Sequence, residues 1–539
     1  MSSGYNLAVL MSAQAGATYD YIVVGAGSAG CVLAARLSED PRVRVLLLEA
    51  GGDDSAREVR IPAAFSRLFK SERDWNYSTE EEPWLNGRRL YWPRGKMLGG
   101  SSSMNAMIYI RGNPSDYDGW KNLGNDGWGW ADVLPYFMKS ENQERGGSPF
   151  HGAGGPMTVS DLRCVNELTR AFVAGALETG IPANNDFNGT VQDGAGLYQV
   201  TQKNGARQSA ADAYLKPALR RRNLTLQTKA HAIRLIIERN RAAGIEYVRN
   251  GRIRKANAER EVILAAGAVN SPQLLLLSGI GPAGEMKKAG VAPREELPGV
   301  GRNLQDHPMV SVGYLCEKPV SLASAESLPN VVRWLIFRSG PLASNVAEGG
   351  AFVRTQANLP APDLQILFGP AYYVNHGLER RKEHCFGFGP TLIRPESRGS
   401  VSLRSANPFD APAIRPNYLS TEHDVRVMVE GVRRSREIAN TKAFKPYRGA
   451  ELHPGSKIAT TEQVADFLRA NMQTLYHPVG TCKMGSDAMA VVDQRLRVRG
   501  IEGLRVADAS VMPRIISGNT NAPAIMIAEK AADMIREDN

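Results

Sequence analysis

The stretch that most restricts the fold runs from Tyr19 to Gly52, YDYIVVGAGSAGCVLAARLSEDPRVRVLLLEAGG. Tyr21 to Val24 is a short apolar run that predicts a buried strand. Cys31 to Leu37 continues with helical spacing, and Val43 to Leu48 predicts a second strand closing at Glu49. Between strand and helix stands Gly25-Ala-Gly27-Ser-Ala-Gly30. Gly25 permits the tight turn, Gly27 lets a pyrophosphate approach the backbone, and Gly30 lets helix and strand pack closely. Phosphates would then lie at the helix N-terminus, where unpaired N–H groups and the helix dipole favour anions. Ser28 and Ala29 belong to that turn. Glu49 follows Gly30 by 19 residues, where a carboxylate accepts hydrogen bonds from ribose hydroxyls, with Ala50 beside it. An acid there argues against a 2′-phosphate, and the unit as a whole predicts an α/β domain holding FAD or NAD.

At 539 residues the chain exceeds what one hydrophobic core organises, so two or more domains are expected. The net charge of +10 is dispersed. Its densest run, Arg220 to Arg222 before Asn223, reads as a solvated turn, so nucleic acid is not an expected partner. Weak attraction to an anionic membrane surface is compatible with this charge. Cys31, Cys164, Cys316, Cys385 and Cys482 are far apart and form no Cys-x-x-Cys pair, which points away from disulfides and zinc and toward a reducing compartment. Residues 1–18 lack a basic start and a long apolar core and read as a flexible tail. No uncharged apolar run of about 18 residues occurs. A cytoplasmic protein, at most peripheral at the inner face of the membrane, is expected.

The segment TLYHPVGTCKMG, 474–485, holds one of only eight histidines. His477 there reads as a base, a metal ligand or a core residue. Zinc would need three or four convergent ligands, and Cys482 is the one neighbour, without a partner motif. Cys482 reads as a small buried apolar residue.

Further stretches join the glycine turn: RGKMLGGSSSMNAMIYIRG (94–112), GAVNSPQLLLLSGIG (267–281), and, near the C-terminus, HPVGTCKMG, GLRVADASVMP and GNTNAPAIMIAEKAADMI. Together they resemble the glucose–methanol–choline (GMC) oxidoreductases, FAD enzymes that oxidise alcohols. The resemblance runs from Tyr19 onward and is nearest to bacterial choline-dehydrogenase-like alcohol dehydrogenases acting on aliphatic or aromatic primary alcohols. It implies Gly99, Gly100 and Ser101 near the phosphates, and Asn105 and Ala106, followed by Met107, against the isoalloxazine. It further implies Ala232 at the adenine, Asp508 with Ala509 at the cofactor's linker, and Thr520 beside Asn519 at the flavin. Asp508 also ends the apolar strand LRVAD, where ligands bind in open α/β sheets. Some family members attach FAD through a histidine just before the asparagine of the LGG stretch. Met104 stands there in this chain, so non-covalent FAD is expected.

Alcohol oxidation with a flavin requires a base for the hydroxyl proton, a donor that holds the developing alkoxide, and hydride travel to N5. The resemblance assigns the base to His477. It assigns the donor to Asn519, with Asn521 as the nearby competitor. His307, in GRNLQDHP, reads as a hydrogen-bonded structural residue. The electron acceptor is a quinone-type carrier or oxygen. A relative of the same fold with another activity, an FAD-containing hydroxynitrile lyase, is the alternative.

The expected architecture is α/β: a Rossmann-like FAD-binding domain of GMC type from 19–150, 206–315 and 474–539, and a substrate domain from 151–205 and 316–473. Alternation in DLQILFG (363–369) and GSVSLRS (399–405) predicts antiparallel strands, and DVRVMVEGVRRSREIA a helix. The resemblance makes this sheet the roof of a substrate pocket, with Asn345, Glu348, Phe368, Tyr372 and Tyr373 as candidate lining.

Overall fold

The computed structural model describes residues 14–379 and 381–538, which build two sheets facing a common cavity. The first sheet has the order Leu224–Gln227, Val45–Leu48, Gln14–Val24, Arg252–Leu264, Arg241–Arg249, Ala230–Glu238, and Leu504–Val506 adds to the end of 252–264. Its core is parallel, and the 230–264 part is an antiparallel meander. Val45–Leu48 is buried on both faces, the pattern a helix-covered parallel sheet demands. Helix Ser28–Leu37 supplies the crossover and packs against helix Asn521–Asp538.

The register of this sheet creates the site. Val24 lies opposite Leu48 on one side and Leu264 on the other, and Leu264 lies opposite Val506. Gly25, Glu49, Ala265 and Ala507 therefore emerge side by side from one sheet edge, the carboxyl ends of parallel strands where α/β proteins bind ligands.

The second sheet is antiparallel, in the order Arg448–His453, Val312–Cys316, Cys385–Leu392, Leu364–Gly369, Gly349–Val353, Gly194–Leu197. Helix Glu422–Ala439 buries Val427, Met428, Val432, Ser435 and Ile438, one stripe of its surface, against this sheet. Aromatic rings fill the layer between, Phe172 stacking on Phe368 at 4.9 Å and Phe444 on Phe386 at 5.0 Å. The opposite face, with Leu367, Gly369, Gly387 and Gly389, covers the cavity.

Two boundaries differ from expectation. Gln14–Thr18, expected in the tail, begin the first strand, where Gln14 pairs Arg254; the rest of the expected tail, 1–13, lies outside the described residues. The boundary expected after residue 315 falls inside strand Val312–Cys316, which pairs 385–392 in the second sheet. Strand Pro308–Met309 pairs 473–474 and 385–392 there as well. Backbone pairing, rather than the end of the nucleotide motifs, decides which layer these residues join.

Candidate active site

The cavity between the sheets has a volume of about 320 Å³. At one end it is walled by Gly25, Gly27, Ser28, Ala29, Glu49 and Ala50, by Gly100 and Ser101, and by Ala232, Asp508 and Ala509. Helix Ser28–Leu37 has no side-chain cap at Gly27 and no acid in its first turn, so its orphan N–H groups are available to an anion. Gly27 and Gly30 serve different ends. A Cβ on Gly30 would stand 1.7 Å from the Gly25 carbonyl oxygen, whereas on Gly27 it would meet nothing nearer than the Ala265 carbonyl at 4.0 Å. Gly30 is therefore required by packing, and Gly27 leaves open space on the cavity. Gly30 and Gly99 themselves lie behind the wall, Gly99 in the left-handed region with φ 83°.

Glu49 accepts backbone N–H groups of Ala26 (2.9 Å) and Gly51 (2.8 Å). Burial pushes its carboxyl up to about 7, and those two donors oppose the shift. Asp508 accepts from Gly267 N–H at 2.8 Å, Ser271 Oγ at 2.5 Å and Ser510 N–H at 2.8 Å, which fixes it at its strand end. Further along, Asn105 Oδ1 accepts from Met107 N–H (3.0 Å) and Arg207 Nη1 (2.7 Å). Its amide NH2 is thereby left for the cavity. Arg207 is fully buried, its Nη2 has no hydrogen-bond partner among the described residues, and burial lowers its guanidinium to about 9. An open glycine cradle and an uncapped helix start fit a dinucleotide carrying two phosphates, and Arg207, behind Asn105, fixes that amide.

His477 closes the other end. Strand Gln473–Thr474 leads into it, and its backbone N–H donates to Asp306 Oδ1 at 2.7 Å. Asp306 also accepts from Thr474 Oγ1 at 2.5 Å and from the Tyr418 hydroxyl. The imidazole is held at both nitrogens. His307 Nδ1 lies 3.0 Å from Nδ1, and Asn519 Nδ2 lies 3.3 Å from Nε2. Asn519 Oδ1 has no partner among the described residues. Asn521, the competitor, instead accepts from Ser28 Oγ at 2.7 Å. Burial, then His307 and Arg94, hold His477 well below its ordinary range. Burial likewise lowers His307 to about 3, against the carbonyls of Ile393 and Ile516, which favour a proton on it.

Asn105, Ala106, Met107, Thr520 and Met104 line the cavity between these ends. Of the expected substrate residues, Tyr373 lines it and hydrogen-bonds Tyr476 through the two hydroxyls at 2.9 Å. Phe368 reaches the wall, but its ring belongs to the aromatic layer. Three others are elsewhere. Glu348 is fully buried and accepts from Asn166 N–H, Thr169 Oγ1 and Ser344 Oγ at 2.8, 2.7 and 2.6 Å. Among the described residues it is neither a pocket acid nor part of an ion pair; hydrogen bonds across three segments satisfy it. Asn345 donates to the carbonyls of Ala106 (3.0 Å) and Ala347 (2.9 Å) and shapes the wall from behind. Tyr372 bonds His453 at 3.0 Å, away from the cavity.

The sequence reading missed several lining groups. Phe65 and Phe69 come from the turn Pro62–Leu68 and its exit. Trp75 and His231 meet edge to face at 5.6 Å at the nucleotide end, where Lys96 lies 4.6 Å over the Trp75 ring. Arg94 donates to the Tyr476 carbonyl at 2.5 Å beside His477. His307 is hydrogen-bonded, as expected, but its partner is His477. Its position directly before the strand that pairs with 473–474 was the available signal. Cys482 is fully buried, and burial drives its thiol far up.

The GMC oxidoreductase family model matches residues 19–309, and its C-terminal counterpart matches 395–528. Choline dehydrogenase, mitochondrial, of Homo sapiens is 47% identical over 532 residues, covering 96% of this chain and 90% of its own. Alcohol dehydrogenase [acceptor] of Pseudomonas putida is 44% identical over 532 residues, with 96% and 95% covered. Among solved structures, pyridoxine 4-oxidase from Mesorbium loti superposes with a TM-score of 0.89 at 34% identity, covering 96% of this chain and 99% of that one.

Proposed function

The chain belongs to the GMC oxidoreductase family, and on that premise we propose that it oxidises an apolar primary alcohol, aliphatic or aromatic, to the aldehyde. That it is an FAD-dependent oxidoreductase acting on CH–OH donors follows from the family and its relatives. The narrower reading rests on the His477 end of the cavity. The charged lining residues are Glu49 and Asp508 at the nucleotide end and Arg94 beside His477. The His477 end offers Phe65, Phe69, Met104, Met309, Val346, Leu367 and Leu475. With Glu348 sequestered, a cationic alcohol such as choline finds no carboxylate there, and a neutral apolar one finds a matching wall.

When bound, FAD supplies the two-electron oxidant. The protein's part is the proton and the alkoxide. His477 Nε2 accepts the hydroxyl proton only in the tautomer whose ring proton sits on Nδ1, and His307 Nδ1, at 3.0 Å, is the acceptor for it. That requires the ring proton of His307 on Nε2, a buried atom with no hydrogen-bond partner among the described residues, on a ring whose proton the carbonyls of Ile393 and Ile516 favour. Asn519 Nδ2 then donates to the oxygen as it gains charge. An amide cannot take the proton, so general-base work falls to His477 alone. Electrons leave to a quinone-type carrier, with oxygen as the competing acceptor.

Anaerobic mixing with a panel of primary alcohols tests this. Flavin bleaching should follow chain length or aromatic size, be weak with choline, and slow by roughly 10²–10⁴-fold in His477→Ala. Rapid bleaching by choline alone would overturn the substrate assignment, and an unchanged rate in the variant would remove His477 as base. Comparing peroxide formation with quinone-analogue reduction identifies the acceptor.

A further inference from the structure

Helix Leu328–Phe337, LPNVVRWLIF, carries an apolar face that the fold leaves in solvent. Leu328, Val332, Leu335 and Ile336 recur at the i, i+4, i+7, i+8 spacing of one helical side. Leu328 is 75% exposed, Leu335 57%, Ile336 65% and Phe337, at the helix end, 72%. Single exposed apolar side chains are ordinary. Here five of the twelve large ones exposed among the described residues fall on one ten-residue helix, which marks a contact surface.

The helix is firmly attached by its other side. Trp334 is buried with Ala325, Leu342 and Ala343, donates Nε1–H to the Gly205 carbonyl at 3.0 Å, and lies 4.0 Å beneath the Arg338 guanidinium. Its outward side chains therefore project from a platform held by Trp334.

Charge selects the occupant. From Ser327 to Ala347 the chain contains Arg333 and Arg338 and no acid. Glu326, just before the helix, is paired with Arg67. The turn that receives the Trp334 indole carries exposed Lys203, and the whole chain has net charge +10. Two copies of this patch face to face would oppose like charges. An anionic lipid surface instead offers apolar depth for the bulky side chains and phosphates for the cations around them.

We propose that helix 328–337 seats the enzyme in the interface of an anionic lipid bilayer. Among the described residues no helix is long and apolar enough to cross a membrane, so the attachment is in-plane. The inner side of the helix packs near Ile61 and Ala63, and Phe65 and Phe69 of the same stretch line the cavity. The helix that would meet the bilayer is thus joined through the 61–69 stretch to part of the cavity wall.

Holoenzyme is sedimented with phosphatidylcholine vesicles and with vesicles containing about 30 mol % phosphatidylserine. Binding should require the anionic lipid and weaken with salt. Leu335→Gln with Ile336→Gln should reduce partitioning roughly ten-fold or more, and Arg333→Gln with Lys203→Gln should reduce the salt-sensitive part. Bleaching by a water-soluble primary alcohol, followed on the same samples, should be unchanged in all of them. That readout reports on the reaction independently of the surface. Wild type remaining unbound, or the apolar pair binding as wild type does, would overturn the proposal. So would a concentration-dependent dimer, lost in Leu335→Gln/Ile336→Gln, without vesicle binding.

Discussion

Nδ1 of His307 lies 3.0 Å from Nδ1 of His477, with the rings at 89° to each other. Each ring fixes the other's proton, and only one arrangement leaves a lone pair on Nε2 beside Asn519. His307→Gln retains an acceptor and His307→Leu does not, so alcohol kcat/KM should fall modestly in the first and up to about a hundred-fold in the second. Similar losses in both would mean that His307 merely fills space.

The pH profile carries a second signature of the same pair. As the proposed base, His477 works unprotonated, so activity should be lost as pH falls through its pKa. Burial, His307 and Arg94 all push that value below 6.5, and the acid limb of kcat/KM should lie below pH 6.5.

Glu49 predicts a pH dependence of opposite origin. Its carboxyl is raised to about 7 by burial, so the folded protein without cofactor holds a proton there that an unfolded glutamate, near 4.5, releases. By this group alone that form is less stable as pH rises from 4.5 to about 7. With ribose hydroxyls donating to the carboxylate, as proposed for Glu49, FAD binding would expel the proton, and affinity should climb with pH up to about 7. Titrating flavin fluorescence into the apoprotein should show this slope in wild type and a flat profile in Glu49→Gln.

Gly27 and Gly30 separate cofactor binding from folding. Gly30→Ala drives a methyl into the Gly25 carbonyl and should cost about 3 kcal/mol, visible as a lower Tm of the apoprotein. Gly27→Ala meets open space and should leave that Tm unchanged, while FAD affinity falls roughly ten-fold or more as the methyl intrudes on the phosphates. Equal effects on Tm would contradict the division of roles.

Met104 lines the cavity beside Asn105, at the position the family resemblance links to histidine attachment of the flavin. Acid precipitation should leave the yellow chromophore in the supernatant, and colour in the pellet would show a covalent bond.

The nucleotide end was legible because its constraints are local: glycine spacing, an apolar strand and the acid that closes the next one lie within 19–52. His477 and Asn519 were legible through short motifs, although their contact joins residues 42 apart. What escaped was made by pairing at long range. Glu348 looked like a pocket acid because nothing near it in sequence reveals Asn166 and Thr169, which approach from more than 170 residues away. Arg207 and Phe65 belong to no periodic pattern; the first reaches the site on the short strand Ala206–Arg207 and the second on the 3-10 segment Pro62–Leu68. The strand at 312–316 was divided because its pairing partner, 385–392, leaves no mark on its own sequence.

The hydrogen bond from Ser28 to Asn521 spans 493 residues, joining the start of the phosphate cradle to the segment that bears Asn519. A ribosome making this polypeptide therefore releases the two halves of the cavity at opposite ends of translation. Until both exist, a flavin has no complete seat and His477 lacks its contact with Asn519, so an unfinished chain has no complete cavity.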